Sequence, residues 1–249
     1  EVLEEVLRTR LELNVRFTKP AIIYRETIAQ ETIGYVAYLA PKPCWAILKF
    51  IIKPGKRGSG VIFDSTCHVD DLARPWQRLI MGHLSEKQHV GVLTGAPITD
   101  MKITLLAGRA HPKHTEGGDF RQATYRAIRQ GLMRAREQGA CVLLEPWYRF
   151  SLTVPTAQIG RAITDIRAMF GQFDTPENEG EFSVLRGAVP ASELGDYAQQ
   201  VAAYTQGKGQ LQVALEGYAP CHNQEEVVAA AAYDPEADLD NTPDSVFCS

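Results

Sequence analysis

No stretch of the sequence approaches the roughly 18 consecutive apolar residues of a membrane-spanning helix, and no secretory leader opens it. Neither a membrane protein nor an exported one is expected. Cysteine is scarce: Cys44, Cys67, Cys141, Cys221 and Cys248 are odd in number, scattered, and never spaced as CxxC. That argues against a disulfide framework and against a zinc site, and for reduced thiols in a cytoplasmic protein. The nucleotide-binding pattern GxxxxGK[ST] is missing as well. Gly55-Lys56-Arg57-Gly58-Ser59-Gly60 comes nearest but lies between β-rich runs, whereas a phosphate loop opens a helix, so a plain hairpin turn is expected. With no other guanine-nucleotide or catalytic motif, no hydrolysis is expected within these residues. Lys and Arg are absent from Asn223 to Ser249, which holds seven acids. Residues 1–222 therefore carry a formal +3 against −7 for that tail, and the body is the part suited to an anionic partner. Low hydrophobicity and like-signed charge predict a solvated or disordered tail that folding can do without.

What is present is the composition of a globular protein. Its 249 residues, 45% hydrophobic and 22% charged, suffice for a sizeable core. Val2, Leu3, Val6 and Leu7 form a helical stripe, and Leu13 to Phe17 alternates as a strand before Lys19-Pro20. A lone helix and strand cannot bury their apolar faces, so residues 1–20 are expected to end a domain that begins elsewhere. From Ala21 to Thr66 the pattern is β, with runs at 22–24, 34–40, 45–52 and 61–63. Leu72, Trp76, Leu79, Ile80 and Leu84 predict a helix over 72–89. After the helix stop at Gln138-Gly139 comes a βαββαβ-like series: strand 149–154, helix 156–170, strand 182–189, helix 191–204 and strand 210–218. That order fits a ferredoxin-like split βαβ domain.

The stretch from Leu105 to Arg136 says most about function. A strand ends at Leu106, and a loop follows with Gly108, Gly117 and Gly118 around His111, Lys113 and His114. A helix is expected from about Asp119, placed as its cap or first residue, with Ala123, Ile128, Leu132 and Ala135 on its period. Lys102 to Arg136 holds eight Lys/Arg and two acids. A basic, glycine-bearing loop on a rigid strand–helix support suits phosphate-rich nucleic acid. An ordinary mobile hairpin above a solvated basic helix face fits the same residues. As contacts, imidazoles can stack on unpaired bases while Arg109 and Lys113 meet phosphates. HxxH on a loop lacks the helical HExxH spacing, so no metal is expected there.

Leu143-Leu144-Glu145-Pro146, followed by Phe150 to Pro155 (FSLTVP), resembles the junction into the fifth domain of translational GTPases of the elongation factor G class. Val189 to Tyr197 (VPASELGDY) and Thr205-Gln206-Gly207-Lys208-Gly209 resemble that domain's closing half, and Gly108 to Phe120 (GRAHPKHTEGGDF) resembles the fourth domain's tip loop. Pro41 to Ala46 and Gly58-Ser59-Gly60 are more similar to the tetracycline-resistance ribosomal protection proteins than to the translocase. At the tip, Ala110 to His114 departs from the aromatic and small residues of the resistance proteins, and His111 falls where the translocase has its tip histidine. The tail departs from the C-terminal helix of the resistance proteins.

The resemblance implies an α+β, two-domain chain. Residues 1–20 end a truncated third domain, and 21–138 form a ribosomal-protein-S5-like βαβ fourth domain with tip loop 107–119. Residues 139–222 form a ferredoxin-like split βαβ fifth domain, and 223–249 an acidic tail. It further implies a monomeric ribosome-binding effector module, without membrane contact, whose tip meets ribosomal RNA near the decoding region to remodel it or release drug. Arg109, His111, Lys113, His114, Gly117 and Gly118 are the expected RNA contacts, with Arg121 and Lys208 in support. No catalytic or metal-ligating residue is implied here; GTP and Mg2+ belong to a missing N-terminal domain. A translocation factor like elongation factor G, or a GTPase-independent RNA-binding or ribosome assembly factor, fits the same residues.

Overall fold

The β-rich runs form two sheets in the computed structural model, which describes residues 2–15, 21–39 and 44–243. The first half supplies helix α1 (Val2–Leu11) and strands β1 (Arg25–Ile28), β2 (Thr32–Tyr38), β3 (Ala46–Pro54) and β4 (Val61–Ser65). Helix α2 (Arg74–Glu86), strand β5 (Met101–Ala110) and helix α3 (Gly117–Glu137) complete it. The first sheet runs β2-β3-β5-β4, antiparallel except where β4 lies parallel to β5. Alternation turns Leu48, Phe50 and Ile52 of β3 inward together with Met101, Ile103 and Leu105 of β5. The two helices cover them with Ile80 and Leu84 from α2 and Phe120, Ala127, Ile128 and Leu132 from α3.

Helix α3 lies close on β2 because glycines meet there. A Cβ on Gly34 would stand 2.0 Å from the carbonyl oxygen of Ala127, and one on Gly131 would stand 3.2 Å from the Gly34 nitrogen. The helix stop falls where the sequence puts it, with Gln138 as C-cap and Gly139 at φ 66°.

The second half contains β6 (Cys141–Pro155), α4 (Ile159–Ala168), β7 (Gln172–Phe173), β8 (Glu177–Glu179) and β9 (Phe182–Pro190). Helices α5 (Ala191–Leu194) and α6 (Tyr197–Tyr204), strand β10 (Gln210–Pro220) and helix α7 (Gln224–Ala231) follow. β10, β6 and β9 lie side by side with β7 and β8 on the far edge of β9, every pair antiparallel. That is the strand order of a ferredoxin-like split βαβ fold. Phe150, Leu152, Leu185, Val189, Ile166, Tyr197 and Val201 form its core.

One strand crosses between the halves. β1 pairs with the opening residues of β6, Arg25 opposite Leu144 and Ile28 opposite Cys141. Glu26, almost fully buried, faces back toward the first half. Its carboxylate accepts the backbone N–H groups of Leu93 (2.8 Å), Thr94 (2.8 Å) and Ala96 (3.2 Å) and the Thr94 hydroxyl (3.0 Å). A buried charge is tolerable only when satisfied in this way.

Several expectations need correction. Leu13–Val15 form no strand, and the rest of that predicted strand lies outside the described residues, as do 40–43 and 244–249. The run at 22–24 is not a strand; pairing begins at Arg25. The helix expected over 191–204 is broken at Gly195, whose φ of 46° no regular helix accommodates. The tail is the largest difference. It forms α7 and then docks on α3: Arg129, 3% exposed, donates to the Tyr233 hydroxyl (2.7 Å) and the Pro235 carbonyl (3.0 Å). Tyr233 in turn donates to Asp238 (2.5 Å), and Lys87 Nζ donates to the Asp240 carbonyl (2.9 Å). Asp238 lies 3.9 Å from Arg129, while Glu225, Glu226, Asp234, Glu236 and Asp240 stay exposed, so the tail docks mainly through Tyr233 and its backbone carbonyls. Among the described residues no helix is long and apolar enough to cross a membrane.

Candidate nucleic-acid interface

At the end of the first sheet, β5 delivers the chain into residues 111–116 and α3 takes it back. The β3–β5 register sets Ala46 opposite Ala110, so Trp45 lies beside the loop. Thr115 ties the two together: its hydroxyl donates to the Trp45 carbonyl (2.5 Å) and accepts the His111 backbone N–H (2.6 Å). The His111 ring sits 5.8 Å from the Trp45 ring, and the His114 ring stacks on it at 4.4 Å with 27° between planes. His111 Nδ1 accepts the Lys113 N–H (3.2 Å), which places the ring's hydrogen on Nε2 when neutral. The result is a row of three rings. Its outer member, His114, is exposed, as are Lys113 and, next to the end of β5, Arg109.

The loop is anchored from below. Glu116 is the N-cap of α3, and Asp119 is the third helical residue, together forming a capping box. Buried Asp119 accepts both the Glu116 N–H (3.0 Å) and the Trp45 N–H (3.1 Å). Helix α3 therefore starts at Gly117, two residues before the sequence suggested, and Asp119 is neither cap nor first residue. Gly117 and Gly118 are helical and do not loosen the loop. Gly108 lies within β5, where a Cβ would stand 2.7 Å from Leu72 Cδ2 and 3.1 Å from Leu48 Cδ2, so it is a packing glycine.

The basic stretch divides sharply once folded. Lys102 pairs with Asp64 (2.6 Å) and Arg121 with Glu86 (2.8 Å), while Arg134 donates to the Ile33 carbonyl (3.0 Å). Arg126 is buried against the Tyr38 ring and donates to Gln122 (3.2 Å); Arg129 is buried holding the tail. Of the cations on α3, Arg126 and Arg129 are thus turned inward, while Arg121, Arg134 and Arg136 stay exposed. Arg109, His111, Lys113, His114, Gly117 and Gly118 are brought together at the tip, with Arg121 one turn along the helix. Lys208 is exposed in the turn before β10, on the other sheet, and does not join that cluster. Burial pushes the thiol of Cys44, beside the tip, above its usual pKa, so it stays protonated and unreactive at neutral pH.

The description "Elongation factor G, domain IV" matches residues 20–136, and "Elongation factor G C-terminus" matches residues 142–227. The chain belongs to the elongation factor G family. It is 29% identical over 223 residues to "Tetracycline resistance protein TetP" of Clostridium perfringens, covering 88% of this chain and 33% of that protein. To "Elongation factor G 1" of Synechocystis sp. it is 28% identical over 234 residues, covering 91% of this chain and 33% of that protein. A crystal structure from Thermus thermophilus superposes with a TM-score of 0.71 at 24% identity over 87% of this chain and 33% of its own, which agrees in fold. The chain thus spans about a third of the length of these relatives.

For an elongation factor G family member, the site residues that the sequence did not single out are Trp45 and Thr115. Both entered only as unremarked members of longer motifs, Trp45 in 41–46 and Thr115 in 108–120. Their role depends on the β3–β5 register, which no local pattern carries; a Trp at the very end of a strand, facing a His-rich loop, was the one available signal.

Proposed function

We propose that this chain is the ribosome-binding effector module of a translational GTPase, and that its tip loop contacts ribosomal RNA near the decoding region. The observation that carries this reading is the ring row Trp45–His111–His114 flanked by exposed Arg109 and Lys113, while most other cations of β5 and α3 are engaged internally. Stacking rings beside cations suit unpaired bases and their phosphates. Anchoring through Thr115 and Asp119 holds the rings before contact, so little ordering remains to be done on binding. GTP and its Mg2+ belong to a domain outside these residues, and the work done at the ribosome is remodelling of the decoding region, including release of a drug bound there.

The test is chemical footprinting of ribosomal RNA with the chain, and drug release with the GTPase-containing protein. Replacing His111, Lys113 and His114 together by alanine should abolish the decoding-region footprint and slow drug release, while GTP hydrolysis stays close to normal. Lys113→Ala alone should lower the salt dependence of ribosome binding by about one charge equivalent. A triple variant that footprints and releases drug like the parent overturns the proposal and leaves the loop a plain hairpin.

A further inference from the structure

A second cluster lies far along the chain from the tip. Because β10 runs antiparallel to β6 with Pro220 opposite Leu144, the residues leaving β10 return to Glu145. Glu145 is 0% exposed, an unusual place for a carboxylate. Its Oε1 stands 2.8 Å from His222 Nδ1 and accepts the His222 N–H at 2.9 Å, and its Oε2 accepts the Ser192 hydroxyl at 3.2 Å. The other imidazole nitrogen, Nε2, is 3.4 Å from Glu193 Oε1. Cys221, a free thiol, completes the group: one donor atom each from Glu145, Cys221 and His222 lie within 4.8 Å of one another. The cluster opens onto a cavity of about 590 Å³ lined by Phe170, Glu193, Cys221 and His222. Phe170, at φ 56°, lays its ring 4.6 Å from that of His222.

We propose that Glu145, Cys221 and His222 form a binding site for a divalent metal of the zinc class. Carboxylate oxygen, sulfur and imidazole nitrogen are the donor set of a borderline-soft ion, whereas Mg2+ and Ca2+ take oxygen ligands. Nδ1 of His222 coordinates, its ring hydrogen passes to Nε2, and Nε2–H donates to Glu193. Ser192 holds the ligating carboxylate in the same manner, so both ligands have the outer partners that metal sites need. The Cys221 proton leaves to solvent as the thiolate binds, and water from the cavity takes the fourth position. Bonds of about 2.0–2.3 Å set the donors about 3.5 Å apart, so Glu145 Oε1 and His222 Nδ1, now 2.8 Å apart, separate slightly while a closing move brings in Cys221 Sγ, now within 4.8 Å. Cys221 makes it by turning away from Asn223 Oδ1, to which its thiol now donates at 3.3 Å. The sequence suggested no zinc site, because its cysteines are unpaired in spacing; here two ligands are adjacent in sequence and the third comes from a neighbouring strand. A metal at this point would pin the start of the tail to β6, since α7 begins two residues beyond His222.

The test uses the 249-residue chain, stripped with chelator and titrated with Zn2+ by calorimetry and with Co2+ by absorbance. One equivalent should bind, with a thiolate-to-cobalt charge-transfer band, and amide exchange across Gln224–Ala231 should slow. Cys221→Ser, with its far-ultraviolet circular dichroism confirmed unchanged, should lose the band and bind Zn2+ at least about tenfold more weakly. His222→Gln should weaken Zn2+ to a similar degree, whereas replacing His111 and His114 with alanine should leave binding intact. No saturable binding at micromolar metal, or binding that Cys221→Ser leaves unchanged, overturns the proposal and leaves a buried Glu–His pair.

Discussion

Arg129→Met tests whether the tail is part of the fold. The guanidinium, 3% exposed, donates to Gly91 O (2.9 Å), Tyr233 Oη (2.7 Å) and Pro235 O (3.0 Å), with Asp238 at 3.9 Å. Met keeps the apolar stem but leaves the Gly91 and Pro235 carbonyls and the Tyr233 hydroxyl oxygen without their donor, and Asp238 without its neighbouring cation. Hydrogen bonds from a charged group contribute roughly 1.5–3 kcal/mol each, and the relief of burying the cation offsets part of the loss. A net destabilisation of about 3 kcal/mol follows. For a chain of this size that is about 6–12 °C in the thermal midpoint. Removing residues 232–249 takes away Tyr233, Pro235 and Asp238 but lets water reach Arg129, so the loss should be smaller, about 1–2 kcal/mol. The decisive measurement is the double variant. Because both changes break one cluster, Arg129→Met in the shortened chain should cost about 1 kcal/mol, a coupling of about 2 kcal/mol in urea denaturation followed by tryptophan fluorescence. If Arg129→Met moves the midpoint by less than about 2 °C, or if the two effects simply add, the docked tail contributes nothing and the solvated tail of the sequence reading is right.

Three further outcomes follow from local packing and titration. Gly34→Ala should destabilise by about 3 kcal/mol or more, because its Cβ meets the Ala127 backbone carbonyl at 2.0 Å and neither element can yield alone. Gly118→Ala meets nothing within 4 Å inside the first turn of α3 and should stabilise by about 0.5–1 kcal/mol; equal urea midpoints for the two variants would refute the packing argument. Burial lowers the His89 pKa; Nε2 faces the Leu84 carbonyl (3.0 Å), and Phe63, Tyr125 and Lys87 surround the ring. The unfolded chain therefore takes the proton first, so this contribution to stability is fully present above about pH 6.5 and lost as pH falls through the lowered folded value. His89→Gln should flatten the stability profile between roughly pH 5 and 7; an unchanged slope would assign it to other groups.

Elements whose evidence is local were legible in the sequence. Period-two runs marked β3 and β5, a helical period marked α2 and α3, and the alternating series after Gly139 carried the ferredoxin-like order, because burying one face of a strand or helix imposes its own repeat. The tip loop was legible for the same reason, as a polar break between a strand and a helix. Whatever depended on which segments meet was not. Arg126 and Arg129 read as a solvated basic face and are buried; Gly108 read as a loop hinge and is packed beneath Leu72; the acidic tail read as solvated and is held by Arg129 and Lys87. Trp45 joins His111 only through the β3–β5 register, and Glu145 joins Cys221 and His222 only through the β6–β10 register. Hydrophobic period is a property of neighbours along the chain, whereas register and the pairing of buried charges are settled by the whole core at once, since a polar group's cost depends on which partner the fold brings to it.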